Sequence, residues 1–159
     1  KYSMNIQNYL KTCIERSICK YNSKYIFDII HTLTNEYNDE FIKKKYNPNH
    51  QKKIKKNIDK YNIKYKALIE MMNEISTSAT ALEKISCIDS IVKQINNEIK
   101  EDLVADTILD ILTYIIICSN IDNPYDEIKF IEENLSNSGD SNAYMLVSFN
   151  AAVDYIRSF

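Results

Sequence analysis

Glycine and proline are almost missing from this chain: one Gly and two Pro in 159 residues. Hairpins and tight turns lean on Gly for positive φ and on Pro for a preset φ, so the shortage argues against a sheet protein and for helices. Tryptophan is absent, and histidine occurs twice, as the isolated His31 and His50. No HExxH or EF-hand spacing joins either histidine to other ligands, so no metal is expected. A Gly-rich loop to cradle phosphates is lacking too, which excludes the familiar nucleotide-binding enzymes, and no cofactor is expected. Nothing in the spacing gives a cysteine nucleophile a His partner.

Neither sign of charge dominates. Twenty Lys and Arg stand against 22 Asp and Glu, a formal net charge of -2, and the isoelectric point is about 5.7. No overall basic field advertises nucleic acid, which is not expected as a partner. The four cysteines, Cys13, Cys19, Cys87 and Cys118, show no CxxC spacing and sit among apolar residues. Buried free thiols in a reducing compartment are the expectation. No signal peptide is visible and residues 112–118 are too short to span a bilayer, so the chain reads as cytoplasmic. Its length suits one domain over residues 1–159, a fragment of a longer protein, with N-terminal helices in 1–62 and the core in 63–159.

What the chain does have is helical periodicity. The most apolar stretch, residues 103–120, has Leu103, Ile108, Leu109, Ile111, Leu112, Ile115, Ile116 and Cys118 around most of a helix, as in one buried on more than one side. Asp106 and Asp110, four apart, share a face near its start, where a carboxylate commonly serves as a cap. Upstream, Ile6, Tyr9, Leu10, Cys13, Ile14 and Ile18 mark one helix, and Ile26, Phe27, Ile30, Leu33, Tyr37 and Phe41 a second, with a break near Thr34-Asn35 or Asn38-Asp39. Asn47-Pro48-Asn49-His50 reads as a loop. Lys52, Lys53, Lys55, Lys56 and Lys60 join Lys43, Lys44 and Lys45 in the one basic concentration, readable as a solvated helix face or as a patch for an anionic membrane or acidic partner.

Further along, helices are expected over residues 65–75 and 82–99, the second opened by Thr80 and Glu83 at capping-box spacing. A turn at Ile121-Asp122-Asn123-Pro124 starts another helix at Pro124. Residues 136–142 read as an exposed loop. The last helix covers about 143–158, with Leu146, Phe149, Val153 and Ile156 inward. The whole is all-α, a layered bundle of about seven or eight helices.

Three segments in order, LEKISCI (82–88), VADTILDILTYIIICSN (104–120) and NAYMLVSFNAAVDYI (142–156), resemble the carboxyl-terminal half of the Vps-nine-type guanine nucleotide exchange domain. The matching positions are Lys84-Ile85-Ser86-Cys87-Ile88, Ala105-Asp106, Tyr114, Asn120, Ala143-Tyr144 and Ala151-Ala152-Val153. Asp110 and Ile121-Asp122 depart from prolines of the family pattern, Glu127 from an Asn, and Val147-Ser148 from a Thr-Asn pair.

The resemblance implies a factor that accelerates GDP release from a Rab-five-group small GTPase in endosomal traffic. It would be a catalyst of exchange without covalent chemistry. Its partner would be the GDP-bound or nucleotide-free GTPase, with peripheral recruitment to endosomal membranes. Asp106 would enter the phosphate and Mg²⁺ site as an acidic finger, with Tyr144 beside it on the switch regions. Asn120, Glu127, Val147 and Ser148 would line the GTPase contact, Asn120 serving equally as a cap of its own helix. The alternative is a helical module that binds a GTPase or other partner without exchange.

Overall fold

A computed structural model describes residues 2–61, 63–99, 105–135 and 140–159, which form seven helices and no strand. The expected all-α architecture is the observed one. The helices are α1 (Tyr2–Lys45), α2 (Pro48–Ile58), α3 (Tyr65–Thr77), α4 (Ala81–Glu98), α5 (Ala105–Cys118), α6 (Pro124–Asn134) and α7 (Asp140–Arg157). Residues 100–104, with Leu103 of the expected apolar helix, and residues 136–139 of the expected loop lie outside the described residues.

Where two helices were expected at the start, one runs unbroken for 44 residues. No Gly or Pro interrupts it, and its polar residues spend their side chains without leaving helical geometry. Ser17, Asn22 and Thr32 donate to carbonyls one turn back. Thr34 and Asn38, the suspected break, are buried and face α6 instead. Thr34 Oγ1 and Asn38 Nδ2 both bond the carboxylate of buried Asp126, Asn38 at 2.6 Å, while His31 Nδ1 lies 2.9 Å from its other oxygen. Asn38 Oδ1 also accepts the Tyr125 N–H at 3.1 Å. Tertiary partners thus removed the competition that makes these residues helix breakers.

At 1.5 Å per residue α1 is about 66 Å long, far more than the other helices can cover. Its bundle side is Phe27, Ile30, Thr34, Asn38, Phe41 and Lys45. On the opposite side, Ile14, Ile18, Tyr21 and Tyr25 are exposed. Of the apolar residues that mark α1, Ile14 and Ile18 lie on the face opposite the bundle and Leu33 is exposed, whereas the Tyr37 ring meets Tyr125 of α6 at 5.5 Å and the Arg157 guanidinium of α7 at 5.0 Å. The side chains of Ile6, Tyr9 and Leu10 are outside the described set.

The expected Asn47–His50 loop shrinks to a joint. Asn47 caps α2, accepting the Asn49 N–H at 2.9 Å, and Pro48 is the first helical residue, where its missing N–H costs nothing. Thr80 and Glu83 form the expected capping box on α4. Asp140, Ser141 and Asn142, expected in a loop, open α7.

The core gathers around α5, which packs against α2, α3 and α7. Ile111, Leu112, Ile115 and Ile116 are fully buried, each contributing roughly 1.5–3 kcal/mol by removal from water. Phe149, Val153 and Ile156 of α7 meet them, with Leu146 half-buried. The expected buried thiols are another correction: Cys13 and Cys118 are exposed and Cys87 half-buried, the side chain of Cys19 being outside the described set. Cys118 lies between buried Ile117 and Ser119, on the face of α5 that it shares with half-buried Tyr114 and that the neighbouring helices leave open.

Candidate interaction surface on α5 and α7

The relative direction of α5 and α7 follows from two adjacent lysines. Lys44 Nζ donates to the Phe159 carbonyl at 2.7 Å, and Lys45 Nζ to the Ile121 carbonyl at 2.7 Å. The carboxyl ends of α7 and α5 therefore lie together, and since the helices pack side by side they run parallel. A second path agrees. Helix α2 starts beside Phe159, through the His50 ring at 4.9 Å, and is followed by Tyr61, whose hydroxyl lies 3.1 Å from Thr107 Oγ1 at the start of α5.

Asp106 stands fifteen residues before Ile121, and Tyr144 fifteen before Phe159. Parallel packing therefore brings Asp106 and Tyr144 to the same end of the bundle. Asp106 is in the first turn of α5 and exposed, where the helix dipole favours a carboxylate. Asp110 follows one turn later, half-buried. Tyr144 is 52% exposed and Val147, one turn on, 66%. Ser148 turns its hydroxyl back onto the Tyr144 carbonyl at 2.9 Å. With Ala143 and Ala151 these residues form an exposed stripe of small and apolar side chains along α7.

Asn120 and Glu127 are elsewhere. Asn120 follows the far end of α5, about 20 Å from Asp106. Its N–H donates to Asn73 Oδ1 at 2.7 Å, and the carbonyl of Ile116 near the helix end is taken by the Ser119 hydroxyl at 2.8 Å, so Ser119 does the capping considered for Asn120. Glu127 is buried, its Oε2 2.7 Å from Lys84 Nζ. Both line a groove of about 490 Å³ between α1, α3 and α6, with Phe27, His31, Asp122 and Asp126. The structure thus joins Asp106 with Tyr144 and Val147, sets Asn120 apart, and turns the Glu127 carboxylate inward.

Lys84 is what sequence reasoning missed. Between Ala81 and Ile88 it holds a core position of α4, and a lysine in an apolar seam signals a buried partner. Tyr114 of α5 packs edge-on to Tyr65 of α3 at 5.1 Å, and burial pushes both phenols up to about 12. Among the described residues no group of three or more His, Cys, Asp or Glu is placed to hold a metal ion. A stripe about 12 Å long on α7, with an exposed carboxylate at the head of α5, suits a protein surface better than a small molecule.

Over residues 65–159 the chain matches the model of the Vacuolar sorting protein 9 (VPS9) domain. The chain belongs to this family. The match begins at the first residue of α3 and takes in α4 to α7, so both α5 and α7 fall within it. No curated protein and no solved structure matches the chain. A VPS9 domain implies guanine nucleotide exchange activity toward Rab GTPases, and hence binding to them.

Proposed function

We propose that this VPS9 domain accelerates GDP release from a Rab-five-group GTPase, with Asp106 as the acidic finger and Tyr144 as its neighbour on the switch regions. One observation carries the reading: an exposed carboxylate and an exposed aromatic side chain, on two parallel packed helices, share one end of the bundle. Asp106 is exposed and the Tyr144 ring half exposed, so both can meet a partner. Val147 and Ser148 extend the contact along α7, while Asn120 stands apart from it. Glu127, buried against Lys84, does not offer its carboxylate to the GTPase.

A small GTPase holds its nucleotide through backbone amides, a P-loop lysine and Mg²⁺ on the phosphates. A catalyst of release must bind the empty state better than the loaded one, since only differential affinity shifts the balance. The Asp106 carboxylate supplies that difference by competing with the phosphates for the P-loop lysine. The work of such a domain lies at endosomal membranes, to which it is recruited from the cytoplasm.

The deciding experiment is release of fluorescent GDP from a panel of Rab proteins, wild type beside Asp106→Ala. Acceleration by wild type alone, on Rab-five-group members, is the expected result. Full activity in Asp106→Ala would remove the finger. No acceleration by either protein, both folded, would leave a docking module without exchange.

A further inference from the structure

We propose that the lysine face of α2 is a contact surface for the headgroups of an anionic phospholipid leaflet. Residues 43–60 carry eight lysines and one aspartate, which leaves the rest of the chain at a net charge of -9. Such segregation inside an acidic protein makes a local field that a uniform surface would lack. Two of these lysines have structural work: Lys45 is fully buried on Ile121 and Asp122, and Lys44 holds the Phe159 carbonyl. Lys52, Lys53, Lys55, Lys56 and Lys60 are exposed.

Orientation is fixed by the other side of the helix. Ile54 and Ile58 are 0% and 1% exposed and hold α2 to the bundle, so the lysines cover roughly half its circumference facing outward. No ion pair among the described residues involves Lys52, Lys55 or Lys56. Exposed and without an ion pair, they outnumber the one carboxylate of the face, Asp59.

The chemistry of the face selects among anionic partners. Between residues 52 and 60 the other exposed side chains are Asn57 and Asp59, with no arginine among them, and the rings that Lys53 and Lys60 meet, Phe159 and Tyr61, are half-buried and not displayed for stacking. Protein hot spots rely on desolvated aromatic and arginine anchors, and single-stranded nucleic acid on stacking rings. Lysine is a compact, strongly hydrated charge on a flexible stem, suited to laterally mobile headgroups that need no fixed geometry.

The probe is vesicles of phosphatidylcholine, alone or mixed with phosphatidylserine, in a sedimentation assay without any GTPase. Wild type should sediment with the mixed vesicles only, and salt should release it, as screening predicts. Each lysine near the surface contributes roughly five-fold, so Lys52→Glu with Lys55→Glu and Lys56→Glu should weaken binding at least about 100-fold. All three are exposed, and circular dichroism checks the fold; Lys→Gln at the same positions replaces the reversals if they unfold the chain. Asp106→Ala should bind vesicles like wild type, so failure here and failure of the exchange reading are told apart. Absence of wild-type binding at low salt overturns the proposal, as does full binding by the triple variant. Undiminished vesicle binding by that variant with slowed exchange would also overturn it, giving the lysines to an acidic protein surface.

Discussion

Lys84 of α4 stands 2.7 Å from Glu127 of α6, and the same ammonium donates to the Ile75 carbonyl of α3 at 2.6 Å. Three helices meet at one charge that is 1% exposed, with the Phe27 and Phe130 rings 5.3 and 5.6 Å away. Burial pushes the Glu127 carboxyl above its ordinary range, and Lys84 opposes that shift. A buried pair of this kind adds little over an apolar replacement, but losing one partner strands the other.

Lys84→Met should therefore destabilise the fold by roughly 3–5 kcal/mol, and pairing it with Glu127→Met should recover most of the loss. Urea unfolding of the two variants checks this. Equal damage in single and double variants would mean that Lys84 acts through the Ile75 carbonyl and packing, not through Glu127.

Tyr144→Ala should cut GTPase binding and exchange by about 30-fold or more, the scale of an interface anchor near 2 kcal/mol. Because the ring is half exposed, unfolding should move by no more than about 0.5 kcal/mol. Calorimetric titration with nucleotide-free Rab protein gives the first number and thermal unfolding the second. Unchanged affinity would take Tyr144 out of the contact.

At the start of α4, Thr80 Oγ1 accepts the Glu83 N–H at 3.1 Å, and Glu83 Oε2 accepts the Ala79 and Thr80 N–H groups at 3.0 Å each. Thr80→Ala should cost about 1 kcal/mol in a denaturant titration. Thr80→Ser keeps the acceptor and should stay near wild type.

Alkaline pH offers a separate test. Tyr65 and Tyr114 have phenols raised from 10.0 to about 12, burial being the largest cause in both. The folded state disfavours their phenolates, so this contribution to stability is complete below pH 10 and fades as pH rises through about 12. Phenolate absorbance should show a late-titrating class, reduced in Tyr65→Phe and Tyr114→Phe. Phenylalanine at these positions should also flatten the loss of stability in that pH window.

Local rules were legible where a segment answers only to its neighbours. Asn47 with Pro48, Thr80 with Glu83, and Pro124 at the start of α6 each mark a helix start that needs no distant partner. The α1 break was misread for the opposite reason: Thr34 and Asn38 disfavour helix by themselves, and only Asp126, 92 and 88 residues away, removes their alternatives. The cysteines mislead likewise, since apolar neighbours in sequence do not say which face of a helix the bundle covers.

The sequence by itself determined that this chain is helical, where most of its helices start, and that α5 is the apolar centre, because spacing, caps and missing Gly and Pro act within a few residues. Tertiary structure alone decided that α5 and α7 run parallel, bringing Asp106 and Tyr144 to one end. It also decided that Lys45 and Lys84 lie inside while the lysines of α2 lie outside. An ammonium is the same group in each place; whether it is buried depends on a carbonyl or carboxylate that the folded chain delivers from far along the sequence, and periodicity carries no record of that delivery.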